Sequence, residues 1–449
     1  MQYLIMGAGV SGLGACELLT KLKHKIVLYD KDKQKLLSLA NSGLIPQDVV
    51  LCTKIKNKDI TNIDCIVLSP GISLDKKTIR LAQQKNIPIV SEIELGAMHT
   101  KTKLIAITGT NGKTTTTSLT TNILCSANKQ AYAVGNIGQS ISSVVSNAGR
   151  RDILVCEVSS FQLQYTMHFR PHISVFLNFA PDHLDVHKDI DDYLSYKKRI
   201  FANQKTDDYA ILNYDDAVVL SCASEIKAQI IYISTKQDLS TMHYASWALN
   251  NTVHIKLKDK MYYISINNAS LLLEHNKYNV IVACVIAILH NISTAQIERA
   301  LSNFELPNHR NKLVGEFDGV RFVDDSKATN IHATVSAISC VNGPIILMLG
   351  GSDKGEKFDD FLCHLPHNVR YVVCFGQKGK SLYKLCKKYN IPSVFAKKFA
   401  LAVQKAKDIA VAKDTVLLSP ACASFDQFNS YAERGDCFEY LVRGDKFER

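Results

Sequence analysis

Seven residues, Thr108-Gly109-Thr110-Asn111-Gly112-Lys113-Thr114, carry the densest chemistry in the chain. They follow the apolar run Leu104-Ile105-Ala106-Ile107 and precede Thr115-Thr116-Thr117-Ser118-Leu119, so a buried strand, a glycine turn and a helix start succeed one another. At such a turn backbone N–H groups and the positive end of the helix dipole converge on an anion. Gly109 and Gly112 let the backbone approach phosphate oxygens, Lys113 adds a point charge, and the Thr114 hydroxyl suits a phosphate-bound Mg²⁺. The nucleotide-binding set read from the turn is Gly109, Thr110, Asn111, Gly112, Lys113, Thr114 and Thr115. The general phosphate loop places four residues between its first glycine and Gly-Lys; here two stand between Gly109 and Gly112. A plain glycine turn with a chance lysine is the bland alternative. Strand, lysine and hydroxyl together favour a nucleoside triphosphate.

A second turn, Gly7-Ala8-Gly9-Val10-Ser11-Gly12, matches the dinucleotide fingerprint, and Asp30 closes the next strand where a ribose-binding acid sits. Taken alone it points to an NAD-dependent dehydrogenase. The chemistry, however, asks only for a diphosphate on a helix N-terminus and a hydroxyl-rich sugar, and a UDP-sugar offers both. Ser69-Pro70-Gly71 ends a further strand on the same carboxyl edge.

Glu157 ends the apolar run Ile153-Leu154-Val155-Cys156, a position for a Mg²⁺ ligand facing the phosphate loop or for a solvated strand-end acid. His183 and His187 are four apart in Asn178-Phe179-Ala180-Pro181-Asp182-His183-Leu184-Asp185-Val186-His187, but the glutamate of H-E-x-x-H is missing, which argues against a zinc protease. Mg²⁺ prefers oxygen, so the residues alone assign His183 no role. Lys197-Lys198-Arg199 reads, by itself, as a solvated basic helix face. Three polar loops close apolar strands further on: Asp324-Asp325-Ser326-Lys327-Ala328-Thr329-Asn330, Gly350-Gly351-Ser352-Asp353-Lys354 and Ser419-Pro420-Ala421-Cys422-Ala423-Ser424-Phe425-Asp426. Three such loops at strand carboxyl ends favour one pocket over three unrelated turns.

The elements that must position these groups alternate. Strands Gln2–Met6, Lys25–Tyr29, Cys65–Leu68 and Ile87–Val90, with a helix from Gly12 to Leu22, form a βαβ pattern and hence a parallel sheet. A second α/β segment runs over 94–306, with strands and turns in 203–272 that show no motif and a helix from Asn276 to His290. The third, 307–449, has strands Arg321–Val323, Ile345–Leu349, Tyr371–Phe375 and Thr415–Leu418. The 449 residues suit two or three domains rather than one core. The formal charge of +11 comes from scattered lysines with one tryptophan, which gives a nucleic-acid partner little support. Thirteen cysteines are an odd number without a C-x-x-C pair, as expected for buried thiols in a reducing compartment. The N-terminus runs directly into a strand, and the longest apolar stretch, Val280 to Leu289, falls short of a membrane span. A cytoplasmic location is expected.

T-G-T-N-G-K-T with two residues between its glycines resembles the superfamily of Mur ligases and folylpolyglutamate synthases, ATP-dependent amide ligases. E-V-S-S-F-Q-L from Glu157, D-D-S-K-A-T-N from Asp324 and S-P-A-C-A-S-F-D-Q-F from Ser419 resemble the D-glutamate-adding branch of the Mur ligase family, and the likeness covers essentially the whole chain. Sister ligases adding other amino acids carry a D-Y-A-H type loop in place of D-S-K-A-T-N.

The resemblance implies three α/β domains: a Rossmann-like parallel sheet over 1–93 for the UDP-sugar, a P-loop ATPase-type domain over 94–306, and a Rossmann-like amino-acid-binding domain over 307–449. It implies that Val10, Ser11, Asp30, Ser69 and Asn136 contact the uridine diphosphate and that Asn276, Asn279, Arg310 and Asp325 face the nucleotide. Thr329, Lys354, Ser424, Phe425 and Tyr431 would surround D-glutamate, with Tyr431 standing where the family often has Phe. Thr114, Glu157 and His183 would bind two Mg²⁺ ions, together with Lys197 after carbamylation by CO₂; the match Tyr193-x-x-x-Lys197-x-Arg199 points to Lys197, next to a second lysine. Lys113, Lys197 and His183 would be catalytic. The implied reaction joins D-glutamate to UDP-N-acetylmuramoyl-L-alanine through an acyl phosphate, in a monomer with no nucleic-acid or membrane partner. A sister ligase, the dehydrogenase and a nucleotide-binding module without turnover are the rivals.

Overall fold

The computed structural model describes residues 1–55, 60, 62–70, 72, 76–182, 186–268, 270–353 and 355–444. Contacts divide the chain into two compact units: Met1–Phe179 with Ile190–Leu272 and Asn276–Phe304, and Ala180–Asp189 with Leu273–His275 and Glu305–Arg449.

The first unit holds two sheets. Strands β1 (Gln2–Met6), β2 (Lys25–Tyr29), β3 (Val50–Cys52), β4 (Cys65–Leu68) and β5 (Ile89–Ser91) form a five-stranded sheet in the order β3-β2-β1-β4-β5, parallel throughout. The order reverses at β1, so the turn Gly7–Gly12 opens at a topological switch point, where ligands of open sheets bind.

The second sheet contains β6 (Lys103–Thr108), β7 (Ala131–Gly135), β8 (Ile153–Glu157), β9 (Ile173–Phe176), β10 (Tyr209–Asn213), β11 (Gln229–Ser234), β12 (Tyr244–Leu249), β13 (Thr252–Leu257) and β14 (Lys260–Ser265). Their order, β14-β13-β12-β11-β10-β9-β6-β8-β7, reverses at β6, directly under the phosphate turn. Strands β12 to β14 are an antiparallel meander. The last hairpin turns on Lys258-Asp259, with Lys258 at a φ of +56°, the backbone twist that a two-residue connection needs. No glycine marks that hairpin in the sequence, which is why its strands could not be delimited there.

The second unit is built on β15 (Lys312–Phe317), β16 (Val320–Asp324), β17 (Ile345–Gly350), β18 (Val369–Phe375), β19 (Ser393–Ala396) and β20 (Thr415–Leu418), ordered β15-β16-β20-β17-β18-β19. Only the β15–β16 pair is antiparallel. Along β17 side chains alternate between two cores: Ile346 and Met348 join one, Ile345, Leu347 and Leu349 the other. Helices cover both faces, so the strand reads as a continuous apolar run. The architecture of three parallel-rich α/β sheets agrees with the sequence expectation. Element ends differ slightly: the first helix is Val10–Lys21 and the asparagine-bearing helix Glu274–Leu289.

Candidate active site

β6 delivers Thr108 to the phosphate turn and the helix Lys113–Ser126 leaves it. Gly109 and Gly112 adopt φ of +152° and +84°, where a side chain is strained. A Cβ on Gly112 would also stand 2.5 Å from Asn279 Oδ1. Asn178, just past β9, clasps the turn. Its Oδ1 accepts from the N–H groups of Thr110 (3.1 Å) and Asn111 (2.9 Å), and its Nδ2 donates to the Asn111 carbonyl (3.1 Å). Amides in the first turn of the following helix lack intrahelical partners and face an anion along the helix dipole.

Two lysines meet at one carbonyl. Lys113 Nζ donates to the Gly109 and Thr110 carbonyls at 2.9 and 2.8 Å, and Lys197 Nζ donates to the Gly109 carbonyl at 2.8 Å. Lys197 is 1% exposed, whereas Lys198 pairs with Glu225 with 29% of its side chain exposed. Helix geometry separates the neighbours: successive residues on Ile190–Lys198 point about 100° apart, so one faces the turn and the other the surface. The buried Tyr193 ring lies under Lys197, 4.6 Å from its Nζ, and its hydroxyl stands 3.5 Å from Thr110 Oγ1.

Glu157 closes β8 beside β6 and is 2% exposed. Its Oε1 accepts from Asn136 Nδ2 at 3.0 Å, and its Oε2 is buried without a hydrogen-bond partner. An orphaned buried carboxylate oxygen is costly unless a cation or donor joins it, so the donor set fits a hard divalent cation, with the Thr114 hydroxyl at the helix start as a second oxygen. Asn136, expected at the uridine diphosphate, has its carboxamide on Glu157. Asn276 and Asn279 are buried and paired, Asn279 Nδ2 donating to Asn276 Oδ1 at 3.1 Å. Thr116 Oγ1 lies 2.9 Å from both Asn279 Oδ1 and the Gly112 carbonyl, which share its single hydroxyl proton. The asparagine pair thus underpins the phosphate turn.

Around the first turn, a Cβ on Gly12 would lie 1.8 Å from the Gly7 carbonyl, so only glycine lets strand and helix approach this closely. Ser69 Oγ donates to the Gly7 carbonyl at 3.2 Å. Asp30 Oδ2 accepts from the Ala8 N–H (2.9 Å) and from Lys35 Nζ (3.0 Å). Burial opposes ionisation of Asp30, but these bonds and that of the Asp32 N–H outweigh it and hold the carboxyl below its ordinary range. Val10 is 66% exposed at the mouth of the turn, and Ser11 is half-buried beside it.

In the second unit the loops after β16, β20 and β17 are neighbours because those strands are neighbours. Arg434, fully buried, joins two of them: Nε donates to Ser326 Oγ (2.9 Å), Nη2 to the Ser326 carbonyl (2.8 Å), and Nη1 to the Cys422 and Ala423 carbonyls (3.1 and 3.2 Å). Burial pulls its guanidinium down to about 10. Asp325 accepts from Ser419 Oγ at 2.8 Å, yet burial outweighs that bond, the Asn311 N–H and the charge of Arg310, and pushes its carboxyl up to about 7. His309 Nδ1 lies 2.6 Å from Asp324 Oδ2; burial works against the imidazolium, but the Asp324 bond and the surrounding acids raise its pKa. Ser424 is buried, Thr329 and Tyr431 half-buried, and Phe425 74% exposed. Lys327 Nζ stacks over the Tyr431 ring at 3.8 Å.

The phosphate turn, Glu157, Lys197, Asn276 and Asn279 therefore belong to the first unit, with Val10, Ser11, Asp30, Ser69 and Asn136. Arg310, Asp325, Thr329, Ser424, Phe425 and Tyr431 belong to the second. His183 and Lys354 lie outside the described residues. Asn178 and Arg434 had no assigned role: an asparagine or a helix arginine carries no motif until the fold shows which backbone groups it satisfies.

Three family descriptions match the chain in order: "Mur ligase MurD-like, N-terminal domain" over residues 1–91, "Mur ligase middle domain" over 107–287 and "Mur ligase, glutamate ligase domain" over 309–422. The chain is 38% identical over 456 residues to the UDP-N-acetylmuramoylalanine–D-glutamate ligase of Thermoanaerobacter sp. (strain X514), covering 98% of each. It is 35% identical over 448 residues to the ligase of the same name from Clostridioides difficile (strain 630), covering 99% of each. Among solved structures it resembles the UDP-N-acetylmuramate-alanine ligase MurC of Thermotoga maritima, with a TM-score of 0.60 at 15% identity over 99% of this chain and 100% of that one. It also resembles the MurF ligase of Thermotoga maritima in complex with ADP, with a TM-score of 0.58 at 14% identity over 93% and 95%. At those identities the structures speak to the fold.

Proposed function

The chain belongs to the Mur ligase family, and on that premise we propose that it joins D-glutamate to UDP-N-acetylmuramoyl-L-alanine at the expense of ATP. The observation that carries the reading is the 38% identity spanning 98% of both this chain and a D-glutamate ligase. The N-terminal domain, residues 1–93, takes the UDP-sugar; residues 94–306 take ATP; residues 307–449 take the amino acid. No described helix is long and apolar enough to cross a membrane, and we place the enzyme in the cytoplasm as a monomer in peptidoglycan precursor synthesis.

A carboxylate is a poor electrophile, so the terminal alanine carboxylate first takes the γ-phosphoryl group of ATP and ADP leaves. The D-glutamate amine then attacks the acyl-phosphate carbonyl, the C–O bond to phosphate breaks, and the amine sheds a proton as the amide forms. Lys113 and the helix start at Lys113–Ser126 face the charge on the transferring phosphoryl group. Thr114, Glu157, His183 and a carbamylated Lys197 would hold Mg²⁺, which supplies charge neutralisation at phosphate oxygens. Lys197 suits the modification because its buried Nζ sits at the turn; adding CO₂ to the neutral amine releases one proton and converts a cation into a carboxylate. Asn276, Asn279, Arg310 and Asp325 orient the nucleotide. Thr329, Lys354, Ser424, Phe425 and Tyr431 receive D-glutamate.

The test is phosphate release from ATP with UDP-N-acetylmuramoyl-L-alanine and one amino acid at a time. D-glutamate alone should support turnover; a sister ligase would respond to a different amino acid, and that result would overturn the assignment. Intact mass under CO₂ should show one carbamate, lost in Lys197→Ala; a carbamate retained in that variant would move the role to another lysine.

A further inference from the structure

The turn Asn213-Tyr214-Asp215-Asp216, at the end of β10, lies in a stretch without a sequence motif, yet it gathers three parts of the first unit. Asn213 Nδ2 donates to the Leu177 carbonyl at 2.8 Å, and Asp216 Oδ2 accepts from the Phe179 N–H at 2.7 Å, bracketing Asn178 on both sides. Asp215 Oδ1 accepts from Ser234 Oγ at 2.8 Å, and its Oδ2 accepts from the Thr235 N–H at 2.9 Å. A third donor, Tyr278 Oη, reaches Asp215 Oδ2 at 2.8 Å from the helix Glu274–Leu289.

We infer that Asp215, bonded to Tyr278, is a positioning residue that sets the rotation of the helix Glu274–Leu289 and thereby seats Asn276 and Asn279 against the phosphate turn. Tyr278 directly precedes Asn279, so the two side chains leave the helix about 100° apart. A helix fixed along one line can still roll about its axis; a second anchor around the circumference removes that freedom. Asn279 is the first anchor, accepting from Thr116 Oγ1 at 2.9 Å. Tyr278 is the second, and its partner is an acid, so the bond is charge-assisted and stronger than a neutral one. If Asp215 served only to close the end of β11, Ser234 and Thr235 would suffice. The tyrosine hydroxyl, which a phenylalanine filling the same space would lack, carries the link to the nucleotide side.

The inference rests on the proposed nucleotide role of Asn276 and Asn279, and the experiment separates the two. Steady-state constants for all three substrates and ADP titration are measured for wild type, Tyr278→Phe, Asp215→Asn and the double variant, with thermal unfolding alongside. Tyr278→Phe should raise KM for ATP and Kd for ADP by about tenfold, the low end of what one charge-assisted hydrogen bond is worth. KM for D-glutamate and for the UDP-sugar, and kcat, should stay within about twofold. The double variant should bind ADP no more weakly than Asp215→Asn, because the two groups act through one bond. An unchanged KM for ATP in Tyr278→Phe, a parallel rise of all three KM values, or independent multiplication of the two effects would overturn the inference. Should Asp215→Asn not fold, Tyr278→Phe decides alone. A wild-type enzyme that fails to bind ADP would instead sink the underlying nucleotide reading.

Discussion

Arg434→Met is the sharpest test of how the second unit holds its loops. Methionine keeps much of the apolar stem and removes the guanidinium that now serves Ser326 Oγ and the carbonyls of Ser326, Cys422 and Ala423. Leaving a buried polar group unsatisfied costs about 1–3 kcal/mol. The Ala423 carbonyl still accepts from the Ser352 N–H and Ser326 Oγ still donates to the Tyr431 carbonyl, so the carbonyls of Ser326 and Cys422 are the groups exposed to that cost, roughly 2–6 kcal/mol together. Against this, the variant no longer desolvates a cation. The depression of the Arg434 guanidinium from its ordinary value to about 10 corresponds to about 3 kcal/mol at 1.36 kcal/mol per unit. The net expectation runs from a gain of about 1 to a loss of about 3 kcal/mol. Urea unfolding followed by circular dichroism measures it, and KM for D-glutamate should rise because the loops carrying Thr329 and Ser424 lose their tie. An unchanged KM for D-glutamate, or a loss well beyond about 3 kcal/mol, would refute the reasoning.

Asp325→Asn probes a buried acid. Because the folded carboxyl is raised to about 7, its stabilising contribution is complete below the unfolded value near 4 and is lost as pH climbs towards 7, by up to about 4 kcal/mol. The difference in unfolding free energy between wild type and Asp325→Asn should therefore slope across that window, and a flat difference would contradict the raised value. Lys113→Ala should lower kcat by about 100-fold or more, since phosphoryl charge loses its counter-ion; near-normal turnover would remove the turn from the mechanism. Glu157→Gln should weaken the dependence of rate on Mg²⁺ concentration, raising the half-saturating concentration about tenfold or more, and an unchanged Mg²⁺ titration would exclude Glu157 as a ligand.

Much was legible locally. Apolar runs such as Ile153–Cys156 and Ile345–Leu349 announce strands covered on both faces, and the glycines at 7, 9, 12, 109 and 112 announce turns whose backbone must approach a ligand or another chain segment. Less was legible where packing, not composition, makes the element. The meander β12–β14 turns without glycine, and in Lys197-Lys198 two identical residues differ only in the direction their helix points them. The structure places Lys197 at the turn and Lys198 at the surface.

The residue types and their spacing by themselves determined that a glycine turn would join a buried strand to a helix start, that Glu157 would end an apolar strand, and that three polar loops would close apolar strands. Those properties are local, set by φ/ψ preferences, charge and periodicity within a few residues. Only the tertiary structure decided which distant groups complete them. Asn178 reaches Thr110 and Asn111 because β9 lies beside β6, and Arg434 bridges Ser326 to Cys422 because β20 is inserted between β16 and β17. Strand order is a long-range outcome of burying every apolar face at once, and no short stretch of sequence contains it.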